Sequence, residues 1–324
     1  MTNRTELLEK VRLGSLEKAR PQIMDLEKQR RFLIKQHYRK VIISLSALGA
    51  AVVWIILCVS ILGILSVKVA LFGVLAAVVY TGIHMEKQRK PLERQLRQTI
   101  GKAMIGLFDP QWDYAAEQHL PARHFRHLGI TRRFDKVEGE NLIHGKHGDT
   151  EFSFSHLRLL RQNDSNQKVF EGLIVVADFH KDIKGKTLVL PNLVQQSFGS
   201  WLGKKINEFG RHGLDLVSLE DPFFEKAFVV YSSDQIEARY ILTPAMMARL
   251  VELNNKYDNN LSFSFTHGKV CIAIKDVRPF ETSLHMPVTP DLLFNQFGRP
   301  IEAVTEIIDI LNLNTRIWTK GEDD

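Results

Sequence analysis

Between Val41 and Ile83 the only charged residue is Lys68. The run before it reads VIISLSALGAAVVWIILCVSILGILSV and the run after it VALFGVLAAVVYTGI. A bilayer core takes about 20 apolar residues per helical crossing. One crossing leaves about half of this stretch unexplained, whereas two, joined by a tight turn near Gly63 to Lys68, use all of it. A signal peptide would start within the first few residues and end at a small-residue cleavage site. Here a highly charged arm of 40 residues comes first. The run reads as a two-helix transmembrane hairpin.

Topology follows from the cations. The arm before the hairpin carries eleven Lys and Arg, from Arg4 to Lys40, and the segment after it carries six, from Lys87 to Lys102. Basic flanks stay cytoplasmic, and an even number of crossings puts both flanks on one side. The expectation is a membrane protein with both termini in the cytoplasm and a very short outer loop, where Lys68 can snorkel to the headgroups.

The pI of 9.2 invites a nucleic-acid reading, and the charge partition removes it. Residues 1–108 hold 18 Lys and Arg against 7 Asp and Glu, a net of +11. Residues 109–324 hold 25 against 30, a net of −5. The positive charge belongs to membrane-proximal arms that can meet anionic lipid. The expected partners are the lipid bilayer and another membrane protein, with no nucleic acid. Small residues such as Ala47, Gly49, Ala50 and Ala51 permit close helix packing, which leaves the oligomeric state open. Cys58 in the apolar run and Cys271 in a strand phrase suit a reducing compartment.

The arms read as helices. Leu7, Leu8, Val11 and Leu16 lie near helical spacing, and Pro21 is expected to start a second piece, with Ile23, Leu26, Phe32 and Ile34 as its apolar stripe. After the hairpin, Leu92, Leu96, Ile100, Met104 and Leu107 recur at close to four-residue spacing until Asp109-Pro110 ends the helix. The two arms are expected to pack together, or else to pair with another subunit or lie on the bilayer surface.

Residues 109–320 read as one α+β domain rich in antiparallel strands, before an acidic tail at 321–324. The spacing predicts a short helix over Pro121 to Leu128 and a hairpin turning at GKHGDT (145–150) into EFSFSHLRLL (151–160). Strands are predicted at Phe170 to Phe179, Thr187 to Leu190, Leu214 to Leu219 and Ala227 to Tyr231, with EDPFFEK as the turn between the last two. A second hairpin pairs Leu261–Phe265 with Lys269–Ile274. Helices are predicted over Val194 to Phe209, Asp234 to Tyr240, Pro244 to Lys256 behind a Thr243 cap, and Ile301 to Leu313. FEGLIVVADF echoes FEKAFVVYSSD, and EFSFSH echoes LSFSFTH, too little to claim a duplicated fold.

Three phrases together, GENLIHGKHGDTEFSFSHL, FEGLIVVADFHKDIKGKTLVLP and LEDPFFEKAFVVYSSDQIEARYILTP, resemble an uncharacterised bacterial membrane-protein family, the domain of unknown function three-one-three-seven. The resemblance runs from about Phe134 to Phe280 and implies an inner-membrane protein with a cytoplasmic domain. It implies no activity, so no catalytic residue carries over. His156 departs from the family pattern, which has an acidic residue there.

Three groups of residues could carry chemistry. Asp178, His180, Lys181 and Asp182 follow a strand, where a carboxylate beside a histidine could do general acid–base work. The plainer reading is a capped turn and a solvated loop. Glu220, Asp221 and Glu225 could hold a divalent cation or share a proton, but Asp-Pro after a strand is also turn chemistry, with Phe223, Phe224 and Phe228 as core anchors. The catalytic candidates are therefore Asp178, His180, Glu220 and Asp221.

The third group is a histidine-rich span: His119, His124, His127, His144, His147 and His156. His124 and His127 could share a helix face, yet zinc wants a third and usually a fourth ligand, and no cysteine is near. No metal and no cofactor are expected. The phrase GKT at 185–187 precedes a strand rather than opening a helix, so the phosphate loop fails. The preferred reading is a membrane-tethered interaction or regulatory domain. The alternatives are a tethered enzyme using the four candidates, and a lipid-headgroup-binding β-rich domain.

Overall fold

The computed structural model describes residues 2–62, 67–125, 134–161, 167–192, 213–277, 286–311 and 313. The chain forms two compact units, residues 1–107 with 282–294, and residues 108–281 with 295–324.

The first unit is helical. Helix α1 (Thr2–Leu62) runs unbroken through Pro21, so the expected break at that residue is absent. A proline removes one i→i−4 hydrogen bond, and in a helix of 61 residues the neighbouring turns hold the path. Helix α2 (Val67–Phe108) likewise passes through Pro91 and stops before Asp109-Pro110. Ile23 and Leu26 on α1 are buried, as are Leu96, Ile100 and Met104 on α2, which matches the expected stripes. Phe32 and Leu107 depart from them and are 61% and 38% exposed. Lys28, Gln29, Phe32 and Leu33 of α1 line one groove with Gln95, Leu96 and Thr99 of α2.

Among the described residues, one helical segment, Ile23–Leu57, is long and apolar enough to cross a membrane. Its apolar part leaves Ile42, Ile43, Val53, Trp54 and Ile56 exposed. On α2, Leu75, Val78, Val79, Tyr80 and Ile83 are exposed too.

The sequence reading gave 282–294 to the soluble domain, but it clusters with the helices. The Glu27 carboxylate accepts the Val288 N–H at 2.9 Å, and Val288 and Leu293 are buried. Glu27 also accepts from Arg30 at 2.7 Å and Arg31 at 2.8 Å.

The second unit is built on a nine-stranded antiparallel sheet. Its strands are β1 (Asp113–Ala115), β2 (Lys136–His147), β3 (Thr150–Arg161), β4 (Gln167–Asp178), β5 (Lys186–Pro191), β6 (Asp215–Val217), β7 (Phe228–Ser232), β8 (Leu261–Thr266) and β9 (Lys269–Lys275), in the order β1-β2-β3-β4-β9-β8-β5-β7-β6. One ladder row crosses all nine: Tyr114, Ile143, Phe154, Val175, Ile272, Phe263, Val189, Val230 and Val217. Every member is buried. Period-two alternation puts this apolar row on one face, and that face holds the register.

The other face is buried more unevenly, with the small residues Ser264, Cys271 and Ala273 at its centre. Both edge strands have three residues, which leaves little backbone for another chain to pair with.

Among the described residues four helices complete the unit: α3 (Pro222–Ala227), α4 (Gln235–Ile241), α5 (Pro244–Lys256) and α6 (Arg299–Ile310), the last preceded by a π-helical turn at Phe294–Gly298. They bury Phe224, Ile241, Leu250, Leu253, Val304 and Ile307. The phrase EDPFFEK forms α3 where a turn was expected, because Asp221 caps it and Pro222 opens it. Of the expected helix at Pro121 to Leu128, the described residues form a 3-10 turn at Ala122–His124, and 126–128 lie outside them. The expected helix at Val194 to Phe209 lies outside the described residues, as do the outer turn at 63–66 and the acidic tail.

The sequence echo does not report a duplication. EFSFSH and FEGLIVVADF lie on β3 and β4, which pair directly. Their echoes lie on β8 and around β7, which flank β5 and do not pair.

Candidate functional site

Asp178 ends β4, and its carboxylate accepts from Lys269 Nζ at 2.6 Å across the β4–β9 ladder. Phe179 then turns inward, donating its N–H to the Gly268 carbonyl at 2.8 Å and packing on Phe265 with ring centroids 4.9 Å apart. His180 takes a left-handed φ of +45°, and its Nε2 is enclosed with no hydrogen-bond partner among the described residues. Lys181 Nζ stands 5.3 Å from the Phe179 ring centre and 4.9 Å from that of Tyr240. Burial lowers the Lys181 pKa. Asp182 is exposed. The turn is thus held by an ion pair, a cation–π stack and apolar packing.

The GKT phrase follows. The N–H groups of Lys184 and Gly185 donate to the two oxygens of Glu237 at 2.8 and 2.7 Å. A Cβ on Gly185 would fall 2.5 Å from that carboxylate, so glycine permits the approach. The backbone donors that a phosphate would need are occupied by the protein's own carboxylate.

Asp221 accepts the N–H groups of Phe223 and Phe224 at 2.9 and 3.1 Å, as the N-cap of α3. Glu225 accepts from Ser218 Oγ at 2.9 Å and from the Leu219 N–H at 2.8 Å, tying α3 back to the strand before it. Glu220 is exposed.

The sheet keeps these groups apart. Asp178 lies at the end of the sheet where β4 finishes and β9, β5 and β6 begin, whereas Glu220 and Asp221 follow β6 at the opposite end. Five inter-strand steps separate β4 from β6, roughly 24 Å at about 4.8 Å per step. Asp178 and His180 do not converge with Glu220 and Asp221.

The histidines disperse similarly. His119 Nδ1 lies 2.9 Å from the Leu120 carbonyl, His144 Nδ1 lies 2.7 Å from Ser153 Oγ, and His147 Nε2 lies 2.9 Å from Asp309 Oδ1. His127 is outside the described residues. Among the described residues no group of three or more His, Cys, Asp or Glu could hold a metal ion.

A surface that sequence reasoning missed lies around β6, α3 and α4. Leu216, Phe223, Ile236 and Tyr240 are exposed, Phe223 and Ile236 by 80% and 83%. Arg239 of α4 donates to the Ser218 carbonyl at 3.2 Å, and Glu225 of α3 holds the same residue. Leu216, Phe223, Ile236 and Tyr240 thus stand on three elements tied together at Ser218, with Asp215, Glu220, Lys226, Asp234 and Arg239 exposed on or beside them. Beside them a cleft of about 230 Å³ is lined by Leu216, Phe224, Val229 and Tyr231.

Fold and site together define an α+β protein with a membrane-length apolar helix. Residues 168–313 match the model of a family described as protein of unknown function (DUF3137). The match begins in β4, so β1 to β3 precede it and the GENLIHG phrase lies outside. No curated protein matches the chain. The crystal structure of the mycobacterial trehalose monomycolate transport factor A, TtfA, is similar at 10% identity with a TM-score of 0.32, covering 67% of this chain and 95% of that one. That likeness is too slight to carry over a fold or a role.

Proposed function

We propose that the protein is a membrane-tethered interaction domain, anchored in a bacterial inner membrane by a two-helix hairpin, with both termini and the sheet domain in the cytoplasm. The observation that carries the reading is the exposed apolar surface of α1 and α2, flanked on both sides by cations and followed by a domain of net charge −5. Two stretches of exposed apolar side chains are costly in water and are at rest in lipid. Tethering raises the domain's effective concentration toward other membrane proteins. The exposed apolar side chains Leu216, Phe223, Ile236 and Tyr240 are the contacts through which another membrane protein docks.

The enzymatic alternative loses support from the structural roles of Asp178, Asp221 and Glu225. The test is affinity capture after mild detergent extraction, comparing the natural chain with a Phe223→Ser/Ile236→Ser variant. A membrane protein captured by the first and lost at least tenfold by the second supports the reading. Capture of the protein alone, or equal capture by both, refutes it.

A further inference from the structure

Helix α2 changes character along one face. Ile83, Lys87, Lys90 and Arg94 are spaced four, three and four residues apart, which at 3.6 residues per turn aligns them in a stripe about 60° wide. One turn earlier the same side carries Val79 and Tyr80, exposed by 53% and 71%. Ile83, Lys87, Lys90 and Arg94, with Gly82 and Pro91, line an open groove of about 680 Å³. Nothing lies within 4 Å of where a Gly82 Cβ would stand, so the groove is open there.

Cations outnumber carboxylates in this groove. The only carboxylates between 84 and 108 are Glu86 and Glu93. Glu86 lines the groove, but Arg89 takes up both, at 3.1 Å and 3.7 Å. Lys87 and Lys90 are exposed and have no carboxylate partner among the described residues. An apolar surface therefore passes, within about two helical turns, into cations on the same face.

We propose that this stripe is a binding site for the phosphate group of an anionic phospholipid, with Val79, Tyr80 and Ile83 against the acyl chains and Lys87, Lys90 and Arg94 around the phosphodiester. The proposal rests on the reading that α2 enters the bilayer. The chemistry selects net-anionic lipids, because a zwitterionic headgroup brings its own ammonium into a cluster that already holds three cations. It also separates lipid from free phosphate, which has no acyl chain for the apolar end of the stripe.

The experiment uses the full-length protein in mild detergent, titrated in separate arms with phosphatidylglycerol, phosphatidylcholine and inorganic phosphate, and read by native mass spectrometry. The natural chain is expected to retain phosphatidylglycerol in preference to phosphatidylcholine. Lys87→Gln/Lys90→Gln is expected to weaken that retention by about fivefold per charge removed, while Lys184→Gln/Lys226→Gln leaves it unchanged. Equal retention of the two lipids, an unaffected Lys87→Gln/Lys90→Gln variant, or phosphate bound as tightly as phosphatidylglycerol would each overturn the proposal. Extraction of the membranes with alkaline carbonate tests the anchoring separately: a protein released by that wash refutes the anchor, whatever the lipid result.

Discussion

Glu27 and Glu171 each sit between two cationic side chains, Glu27 with Arg30 and Arg31, Glu171 with Lys168 at 2.6 Å and Arg158 at 2.7 Å. Hydrogen bonding to these cations holds both carboxyls down at about 2, below their ordinary range. A folded-state pKa below the unfolded one contributes stability that is full above the unfolded value and is lost as pH falls toward the folded one. Unfolding monitored by circular dichroism should therefore show little loss down to about pH 5 and a progressive loss between about pH 4.5 and 2. Glu171→Gln should flatten that slope, and an unchanged slope would mean the pair adds nothing. Gly172 is a sharper constraint. With φ at +156° it brings β4 so close to β9 that a Cβ would fall 2.1 Å from the Ile274 carbonyl oxygen. Gly172→Ala is expected to cost about 2–3 kcal/mol, read as a lowered denaturation midpoint.

At the scale of elements, α3 separates a structural carboxylate from a catalytic one. An asparagine caps a helix nearly as well as aspartate, and alanine does not. Asp221→Asn should retain stability, while Asp221→Ala loses about 1 kcal/mol; equal losses would mean the charge, not the cap, matters. Sequence reasoning found this residue but read a turn, since six residues are too short to show a helical period. It succeeded where a cap and a long period coincide, as in α5, whose Thr243 cap and Pro244 start stand where expected. It succeeded too where a Thr-His-Gly turn joins two alternating runs, as in β8 and β9. It failed at Pro21, where a local start signal was overridden by a long continuous helix. The three residues of β1 carry no pattern at all. Candidate chemistry was legible only as residue types, because Asp221, Glu225 and Glu237 look the same in sequence whether they bind a ligand or their own backbone. The exposed apolar side chains were invisible for a related reason: Phe223 reads as a core anchor beside Phe224 and Phe228, yet it is the one of the three that is exposed.

The whole molecule divides by charge and by surface. A helical unit with exposed apolar segments carries the positive excess, and a sheet unit with a continuous buried row carries the negative one. Among the described residues one apolar segment of membrane length stands on α1. The proposal of a hairpin adds a second crossing on α2, and with it the requirement that everything after Ile83 lies on the same side as the N-terminal arm. Reporter fusions after Asp324 test that requirement directly. A periplasm-active phosphatase should be inactive there while a cytoplasm-active fluorescent protein glows; strong phosphatase activity with a dark fluorescent fusion would place the sheet domain outside and contradict the two-crossing anchor.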